Sequence, residues 1–322
     1  MTTTPAFLDS NRPDVPDIVV PRGVTPFYLP GKPVRGRLVR LGPLADALLT
    51  RHVNHDAVTA LSGQALALAA ALATALKFRG SFSLQAKGDG PVPMLLADCT
   101  EAGALRGYAR ADPERLAALL ATDPAPTAAA LLGQGYLAFS VDEGPERERH
   151  QGIVAIEGAT LADMALHYFE TSEQIQCSVR LASAKTDAGW RAAALILERV
   201  AGEGGVDPAL DTEALNDAWR TATALAATLK QEELLDDTIP PDRLLYLLFG
   251  VEGVAADRNR ALAYGCRCSR ARLSGILETF PADDLDHMAV AGDIVMTCEF
   301  CNFDFRFDRG EVHGKGPDDS IH

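Results

Sequence analysis

Alternating apolar and polar residues predict a series of β-strands in the first two hundred residues of the chain. The alternation is clearest over 81–86 (SFSLQA), where every second side chain is apolar. Further strands are predicted at 34–41, 92–97, 105–110, 136–141, 151–156, 179–182 and 192–197. An Ala/Leu-rich segment over 64–78 predicts a buried helix, and 160–171 predicts a second one. Strands grouped around few helices predict an α+β core domain over residues 25–201.

The period of the apolar residues changes after residue 211. Leu215, Trp219, Ala222, Leu225 and Leu229 recur at helical spacing and form one apolar stripe. The glycines of 202–205 (GEGG) break the pattern before it. We therefore predict a linker over 202–245 that contains an amphipathic helix, whose apolar stripe must lie against another surface.

The two ends of the chain differ from this pattern. Residues 1–24 are rich in Pro, Thr and Asp and offer little apolar surface, which predicts a disordered N-terminal extension. Residues 315–322 have the composition of a polar tail. Between the linker and this tail, 246–314 would form a small C-terminal domain.

Composition and charge exclude several classes of function. The chain has 322 residues and a net charge of −14, which disfavours a nucleic-acid surface of clustered cations. The start of the chain lacks an apolar stretch flanked by positive charge, so we expect a cytoplasmic protein. The apolar stretch at 65–76 is shorter than the roughly 18 residues that a membrane span needs. A GxxxxGK[ST] phosphate loop is absent, and no nucleotide is expected.

Four cysteines in the last sixth of the chain are the strongest chemical signal. Cys266 and Cys268 form a CxC pair, and Cys298 and Cys301 form a CxxC pair. Four thiolates in two close pairs match the tetrahedral coordination of zinc and leave no open position for catalysis. A small domain of this size would owe much of its folding free energy to the metal. We predict a zinc site with these four ligands.

The same thiolates can also be oxidised, which leaves two hypotheses open. A disulfide within CxC closes a very small ring and would be strained, and strained disulfides are typical of regulatory sites. The alternative is a static zinc ribbon. Cys99 and Cys177 lie among apolar neighbours and are predicted to be core thiols outside the site. Because four sulfurs complete a zinc shell, His287 and His313 are left out of it.

The cysteine segments 264–270 (YGCRCSR) and 294–302 (IVMTCEFCN) resemble the zinc module of the heat shock protein 33 family, the bacterial redox-regulated chaperones. The resemblance extends through the linker phrase 229–235 (LKQEELL) and covers about residues 27–314. Core segments similar to the family's follow in the same order: 74–80 (TALKFRG), 85–91 (QAKGDGP), 106–110 (RGYAR), 151–154 (QGIV) and 168–174 (YFETSEQ). The chain departs from the family in its N-terminal extension, in an insertion-like run at 112–126, and in Leu273, where some relatives carry a further cysteine.

The resemblance implies an ATP-independent holdase, a binding protein and not an enzyme, that captures unfolding client proteins under oxidative stress. It implies an α+β core domain, an amphipathic helical linker and a small C-terminal zinc-binding redox-switch domain. That domain would release zinc when the disulfides Cys266–Cys268 and Cys298–Cys301 form. A homodimer of the oxidised form is implied as well. On this hypothesis Leu215, Trp219, Leu225 and Leu229 bind clients when freed; the alternative is a helix packed permanently on the core. A thiol–disulfide oxidoreductase using the CxxC pair is the competing function, although 303–307 alternates as a strand and not as the helix such enzymes place there.

Overall fold

The computed structural model describes residues 17–75, 80–143, 150–200 and 211–314. These residues form two compact units that divide between Gly265 and Cys266. The large unit runs from Ile18 to Gly265, and the described part of the small unit is chiefly residues 266–314.

One eleven-stranded sheet organises the described part of the large unit. Its spatial order is β7-β6-β3-β4-β5-β11-β1-β2-β9-β8, with β10 paired to β1. All neighbours are antiparallel except β5 and β11, which run parallel. The strands are β1 Val19–Tyr28, β2 Val34–Arg40, β3 Ser81–Gly88, β4 Met94–Thr100, β5 Ala104–Arg110, β6 Gly135–Asp142, β7 His150–Ala155, β8 Cys177–Thr186, β9 Gly189–Arg199, β10 Ala255–Ala256 and β11 Arg260–Tyr264.

Eight helices accompany this sheet in the described residues, and the small unit adds two helices and one hairpin. In the large unit the helices are α1 Pro43–Leu49, α2 Asp56–Ala75, α3 Pro113–Thr122, α4 Ala128–Leu132, α5 Leu161–Tyr168, α6 Thr212–Ala227, α7 Gln231–Leu235 and α8 Pro241–Phe249. The small unit contains α9 Arg270–Leu277, α10 Ala282–Met288, and strands β12 Asp293–Thr297 and β13 Asp304–Asp308.

Both faces of the sheet are apolar, and each is covered by different helices. Because side chains alternate along a strand, Val39 of β2 packs with α1 and α2 on one face, while Leu38 packs with α6 and α8 on the other. In β9, Ala194 and Leu195 divide in the same way. The described part of the large unit therefore has two apolar cores, one on each side of the sheet.

Helix α2 fills the first core. It is 20 residues long, and the hydroxyl groups in its first turns donate to carbonyl oxygens four residues earlier: Ser62 Oγ to Val58 at 2.9 Å, for example. Gly63 is required by close packing, because a Cβ there would lie 2.1 Å from Ser183 Oγ. The helix has the length and composition of a membrane span, but 83% of its most apolar window is buried inside the protein, as in the core helix of a globular domain.

The predicted strands are confirmed within a few residues, and so is the α+β class. Helix α2 begins eight residues before the predicted start at 64, because the polar residues of its first turns are buried and bonded to the helix itself. Its predicted end at 76–78 lies outside the described residues, as do the glycines of 202–205. The insertion-like run at 112–126 contains α3, whose first N–H groups are capped by the Asp112 carboxylate.

Two predicted boundaries differ from the structure. The predicted disorder of residues 1–24 does not hold from Val19 onward, because β1 begins there and lies inside the sheet between β11 and β2; residues 1–16 are outside the described part. The C-terminal domain does not begin at 246. The segment 246–265 belongs to the large unit, since β11 joins β5 to β1 and buries Leu262 completely.

Three arginines fix the second half of the linker to the sheet. Arg40 of β2 is buried and donates to the carbonyl oxygens of Leu234 at 3.0 Å, Glu233 at 2.7 Å and Ile239. Two others support it: Arg180 donates to the Leu229 carbonyl at 3.1 Å, and Arg191 pairs with Asp237 at 2.5 Å. We call residues 229–239 the anchored segment.

We expect Arg40→Met to lower the free energy of unfolding by roughly 3 kcal/mol, because it leaves three carbonyl oxygens of the anchored segment without their donor. Chemical denaturation followed by circular dichroism measures this change. Arg220→Met on the exposed face of α6 is the matched control, since its ion pair with Asp217 is solvent-exposed, and it should cost less than about 0.5 kcal/mol. Equal losses in the two variants would show that Arg40 does not anchor the linker.

Candidate metal centre

The four cysteines of the CxC and CxxC pairs come together from two short segments of the small unit. Cys266 and Cys268 lie in the extended stretch just before α9, which begins after Ser269. The Ser269 hydroxyl caps that helix by accepting from the Arg272 N–H at 3.2 Å. The CxC pair therefore sits between the last strand of the large unit and a fixed helix start.

Cys298 and Cys301 lie in the tight turn that joins β12 to β13. The turn is closed by backbone hydrogen bonds from Cys298 N to the Phe303 carbonyl at 2.9 Å and from Asn302 N to the Cys298 carbonyl at 2.7 Å. Asn302 has a φ of 54°, a left-handed conformation that asparagine tolerates better than most residues. This turn directs both thiols of the CxxC pair to one side.

The sulfur positions match a tetrahedral metal site. The distances are 3.4 Å between Cys266 and Cys268, 3.6 Å between Cys266 and Cys298, and 3.5 Å between Cys268 and Cys301, and all four sulfurs lie within 4.8 Å of one another. Four sulfurs at about 2.3 Å from a zinc ion would be about 3.8 Å apart. A disulfide needs about 2.05 Å, so the four thiols are in their reduced form and can hold a metal ion.

Mutual hydrogen bonding sets the charge of the cluster. The hydrogen bond between Cys266 and Cys268 is the main cause of the lowered pKa of Cys266, which is about 7. The bond from Cys266 is the main cause that lowers the pKa of Cys298 and raises those of Cys268 and Cys301. Hydrogen bonding within the cluster therefore favours the thiolate form of Cys266 and Cys298. Cys298 is only partly buried, while the other three are at most 8% exposed.

A very small apolar core supports the cysteines. Arg270 ties α9 to the hairpin, because its guanidinium lies 4.5 Å from the centre of the Phe307 ring and donates to the Arg306 carbonyl at 2.6 Å. The fully or nearly buried apolar side chains of the unit, besides the cysteines, are Leu277, Leu285, Ile294, Phe305, Phe307 and Val312. So few side chains bury little apolar surface, and the thiol cluster is the other element that joins the two segments.

The predicted client-binding residues lie in the large unit and are largely covered. Leu229 is 2% exposed, and Trp219 and Leu225 are partly buried against the second core. Leu215, one turn before Trp219, is partly buried. The most deeply buried residues of α6 are Ala222 and Ala226. The structure thus shows the stripe docked on the sheet.

Cys99 and Cys177 lie in the large unit, outside the cluster. Cys99 is fully buried in the first core, as predicted, and Cys177 is partly buried at its edge. Burial, followed by the charge of Glu198, raises the pKa of Cys177 to about 12. His287 and His313 are exposed and are not among the residues grouped around the four sulfurs.

Sequence patterns do not single out the arginines that hold the anchored segment. An arginine within a strand predicts a solvent-facing position, and Arg40 and Arg191 instead lie 6% and 8% exposed. Their partners are mainly backbone carbonyl oxygens, which no motif marks. The alternation of 303–307 does predict the strand that supports the metal centre, and β13 confirms it.

Comparison with known proteins places most of the chain in one protein family. The profile of the family described as Hsp33 protein matches residues 23–308. The 33 kDa chaperonin of Caulobacter vibrioides (strain NA1000 / CB15N) is 40% identical over 290 residues, which cover 88% of this chain and 94% of that protein. The 33 kDa chaperonin of Pseudomonas fluorescens (strain SBW25) is 34% identical over 288 residues, with coverages of 89% and 90%.

A solved structure shares the fold. The crystal structure of the 33 kDa chaperonin (heat shock protein 33 homolog) from Thermotoga maritima superimposes with a TM-score of 0.71. The superposition covers 90% of this chain and 96% of that chain, at 21% sequence identity.

We predict that the six thiols divide into two reactive classes in the metal-stripped protein without denaturant. Four should react quickly with a disulfide reagent, because the small unit is expected to unfold without its metal and to expose its cysteines. Cys99 is buried in the first core, and burial raises the pKa of Cys177 to about 12, so little of its reactive thiolate is present at neutral pH. Stopped-flow absorbance measures the number of fast-reacting thiols. Unfolding in guanidinium should make the other two, Cys99 and Cys177, reactive as well. A Cys177→Ser variant that loses one fast thiol would contradict the assignment.

Proposed function

The chain belongs to the Hsp33 family of chaperones, and from that premise we propose that it is a holdase whose client-binding surface is released when Cys266, Cys268, Cys298 and Cys301 are oxidised. Membership rests on the profile match and on relatives at 40% and 34% identity. A chaperone of this family is a binding protein and not an enzyme. The observation that carries the redox part is the cluster of four reduced sulfurs at metal-binding distances.

Zinc is the metal that this donor set favours. The sulfur spacings lie within a few tenths of an ångström of those in a four-thiolate zinc shell, and four soft thiolates leave no place for an oxygen ligand. A bound zinc ion would supply on the order of 10 kcal/mol of folding free energy to a domain of this kind. We propose that all four cysteines hold it in the reduced protein.

Oxidation would remove the four thiolate ligands of the metal in two steps, each of which forms one disulfide. Two thiols and one hydrogen peroxide give one disulfide and two water molecules, so two peroxides convert the cluster into two disulfides. The CxC and CxxC pairings, Cys266 with Cys268 and Cys298 with Cys301, are the ones that the family resemblance implies. Disulfide sulfurs are poor metal ligands because the thiolate is the binding form, and the small apolar core alone would not keep the unit folded.

The chain itself supplies a route from the cysteines to the second core. Cys266 is separated from β11 by one residue, Gly265, and the pairing of β11 with β5 is short, with Ala263 and Tyr264 opposite Ala104 and Leu105. Upstream of β11 lies α8, whose Phe249 is fully buried and stacks on Phe27 of β1 with ring centres 5.5 Å apart. Helix α8 in turn packs with α6 in the same core. We propose that unfolding beyond Cys266 loosens β11 and α8, and that α6 then leaves the sheet.

The surface exposed in this way would suit unfolding proteins. Undocking of α6 would free Trp219 and Leu225 together with strand residues of the same core, such as Leu195 and Leu197, whereas Leu229 begins the anchored segment and would stay on the sheet. Contiguous apolar surface of this extent is typical of sites that bind other proteins. The anchored segment would limit the motion, since Arg40 and Arg180 hold it to the sheet independently of the cysteines. Leu215, in the first turn of α6, would move with the helix.

The competing function, a thiol–disulfide oxidoreductase, is not favoured. Oxidoreductases of the thioredoxin type carry CxxC at the start of a helix in a βαβ unit, whereas Cys298 and Cys301 lie in the turn of a β-hairpin. We also propose that the protein acts in the cytoplasm, where thiols stay reduced until stress occurs. Its net charge of −14 supports partners other than nucleic acids; a homodimer of the oxidised form and independence from nucleotide remain part of the proposal.

The proposed function predicts that peroxide treatment releases about one zinc per chain and, without nucleotide, gives the protein the ability to suppress thermal aggregation of a model client. Light scattering and a chromogenic zinc chelator measure the two effects on the same sample. Cys99→Ser/Cys177→Ser is the matched control and should respond like the parent, because neither residue belongs to the cluster. Retained zinc with no gain in suppression would refute the proposal.

Charges placed on the docked face of α6 should separate the release of this helix from the sheet and the capture of client proteins. We predict that Trp219→Glu/Leu225→Glu undocks the helix in the reduced protein, since both side chains pack on the second core, and lowers client capture at least about fivefold after oxidation because the apolar surface is interrupted. Ala224→Glu/Ala227→Glu adds the same charge on the exposed face of the same helix and should leave both properties unchanged. An unchanged response in the first variant would exclude the stripe from client binding.

A further inference from the structure

A large cleft in the large unit is not used by the proposed chaperone function. It has a volume of about 890 Å³ and lies where β1 ends, β2 begins and the connection from β10 to β11 passes. Clefts of roughly 300 to 1,000 Å³ are typical of small-molecule sites. The lining includes Tyr28, Lys32, Arg35, Arg37, Arg258 and Arg260.

The cleft is positively charged although the protein is strongly acidic. Five cationic side chains line it against one described carboxylate, that of Asp257, while the chain as a whole has a net charge of −14. Some of this charge is neutralised. Glu198 accepts from Arg37 at 2.7 Å and from Arg35 at 3.3 Å, and Lys32 pairs with Glu252.

Two guanidinium groups keep their charge available. Arg258 and Arg260 are exposed, and neither forms an ion pair with any residue that the structure describes. Arg258 lies just before β11 and Arg260 is its first residue, while Arg35 and Arg37 belong to β2 on the other side of β1. The site therefore presents cations from two strands to one volume.

Arg37 adds an unsatisfied donor at the wall of the cleft. The residue is 9% exposed, and its Nε has no hydrogen-bond partner in the described structure, although its Nη1 is bound to Glu198. A buried N–H group without an acceptor is unfavourable. Burial first, and the like charges of Arg35 and Arg260 after it, lower the pKa of Arg37. An anion in the cleft would supply the acceptor and offset this repulsion.

We propose that the cleft binds a small compound carrying two or more phosphate groups. Guanidinium groups present several N–H donors in a planar fork and bind phosphate oxygens in pairs. The five cationic side chains outnumber the three carboxylates beside them, those of Glu198, Glu252 and Asp257. Tyr28 lies at the wall with 47% of its surface exposed, where its ring could stack on a base. The two sources of this chemistry, a plain phosphate chain and a nucleoside diphosphate, share the same phosphate subsite.

Isothermal titration of the reduced, zinc-loaded full chain tests the proposal with three probes: tripolyphosphate, ADP and citrate. We expect tripolyphosphate and ADP to bind more tightly than citrate, with an affinity that falls as salt is raised. Tighter binding of ADP than of tripolyphosphate would favour a nucleoside phosphate, and the reverse would favour a phosphate chain; either result supports the site. The zinc content measured after each titration must be unchanged, which separates binding from chelation.

Arg258→Gln/Arg260→Gln should weaken tripolyphosphate binding at least tenfold. Arg220→Gln on α6 removes an exposed arginine outside the cleft and should leave the affinity unchanged. If the double variant folds poorly by circular dichroism, Arg35→Gln, whose side chain is 58% exposed, gives the same test. Absence of binding by the parent at millimolar probe, equal affinity of the double variant and the Arg220 control, or tighter binding of citrate would each overturn the proposal.

Discussion

The architecture depends on covering both apolar faces of one sheet. A sheet whose strands are apolar on both sides must be packed on both sides, and α2 covers one face as a long helix buried along most of its length. In the described structure the other face is covered by three helices that follow β9 in the sequence: α6, α7 and α8. The second face therefore depends on a cover that follows nine of the eleven strands in the sequence and belongs to a core separate from the first one.

The cover is well suited to partial release. Only Ala222 and Ala226 of α6 are fully buried, and small side chains contribute little burial free energy, about 0.8 kcal/mol for each buried CH₂ equivalent. A helix of 16 residues is marginally stable by itself. The anchored segment differs, because Arg40 holds it through its backbone carbonyl oxygens. The linker thus has a weakly docked first half and a firmly held second half, and the four cysteines would act on the first through β11 and α8.

Much of this arrangement follows from sequence, and the parts that do not have identifiable causes. The cysteine spacing predicts the sulfur cluster because CxC and CxxC each constrain two thiols locally, and the stripe containing Trp219 and Leu225 predicts the correct face of α6. Strand β1 escapes prediction because Pro21 and Pro26 interrupt it, although it lies inside the sheet.

Strand β11 escapes prediction for another reason. It has five residues, and its pairing with β1 joins segments more than 230 positions apart, which no local pattern records. The contacts of Arg40 are equally distant, with partners more than 190 positions away. Periodicity and motif spacing report local constraints, so they define the helices and the metal centre but not the strand order of the large unit.

Hydrogen–deuterium exchange read by mass spectrometry, before and after peroxide treatment, is the measurement that tests the central claim most directly. The account predicts that amides of α6 at 212–227 lose their protection when the cysteines are oxidised, while those of α2 at 56–75 keep theirs and the anchored segment at 229–239 changes least within the linker. Protection of α6 that is the same in the reduced, zinc-loaded protein and in the oxidised, zinc-free protein would contradict it.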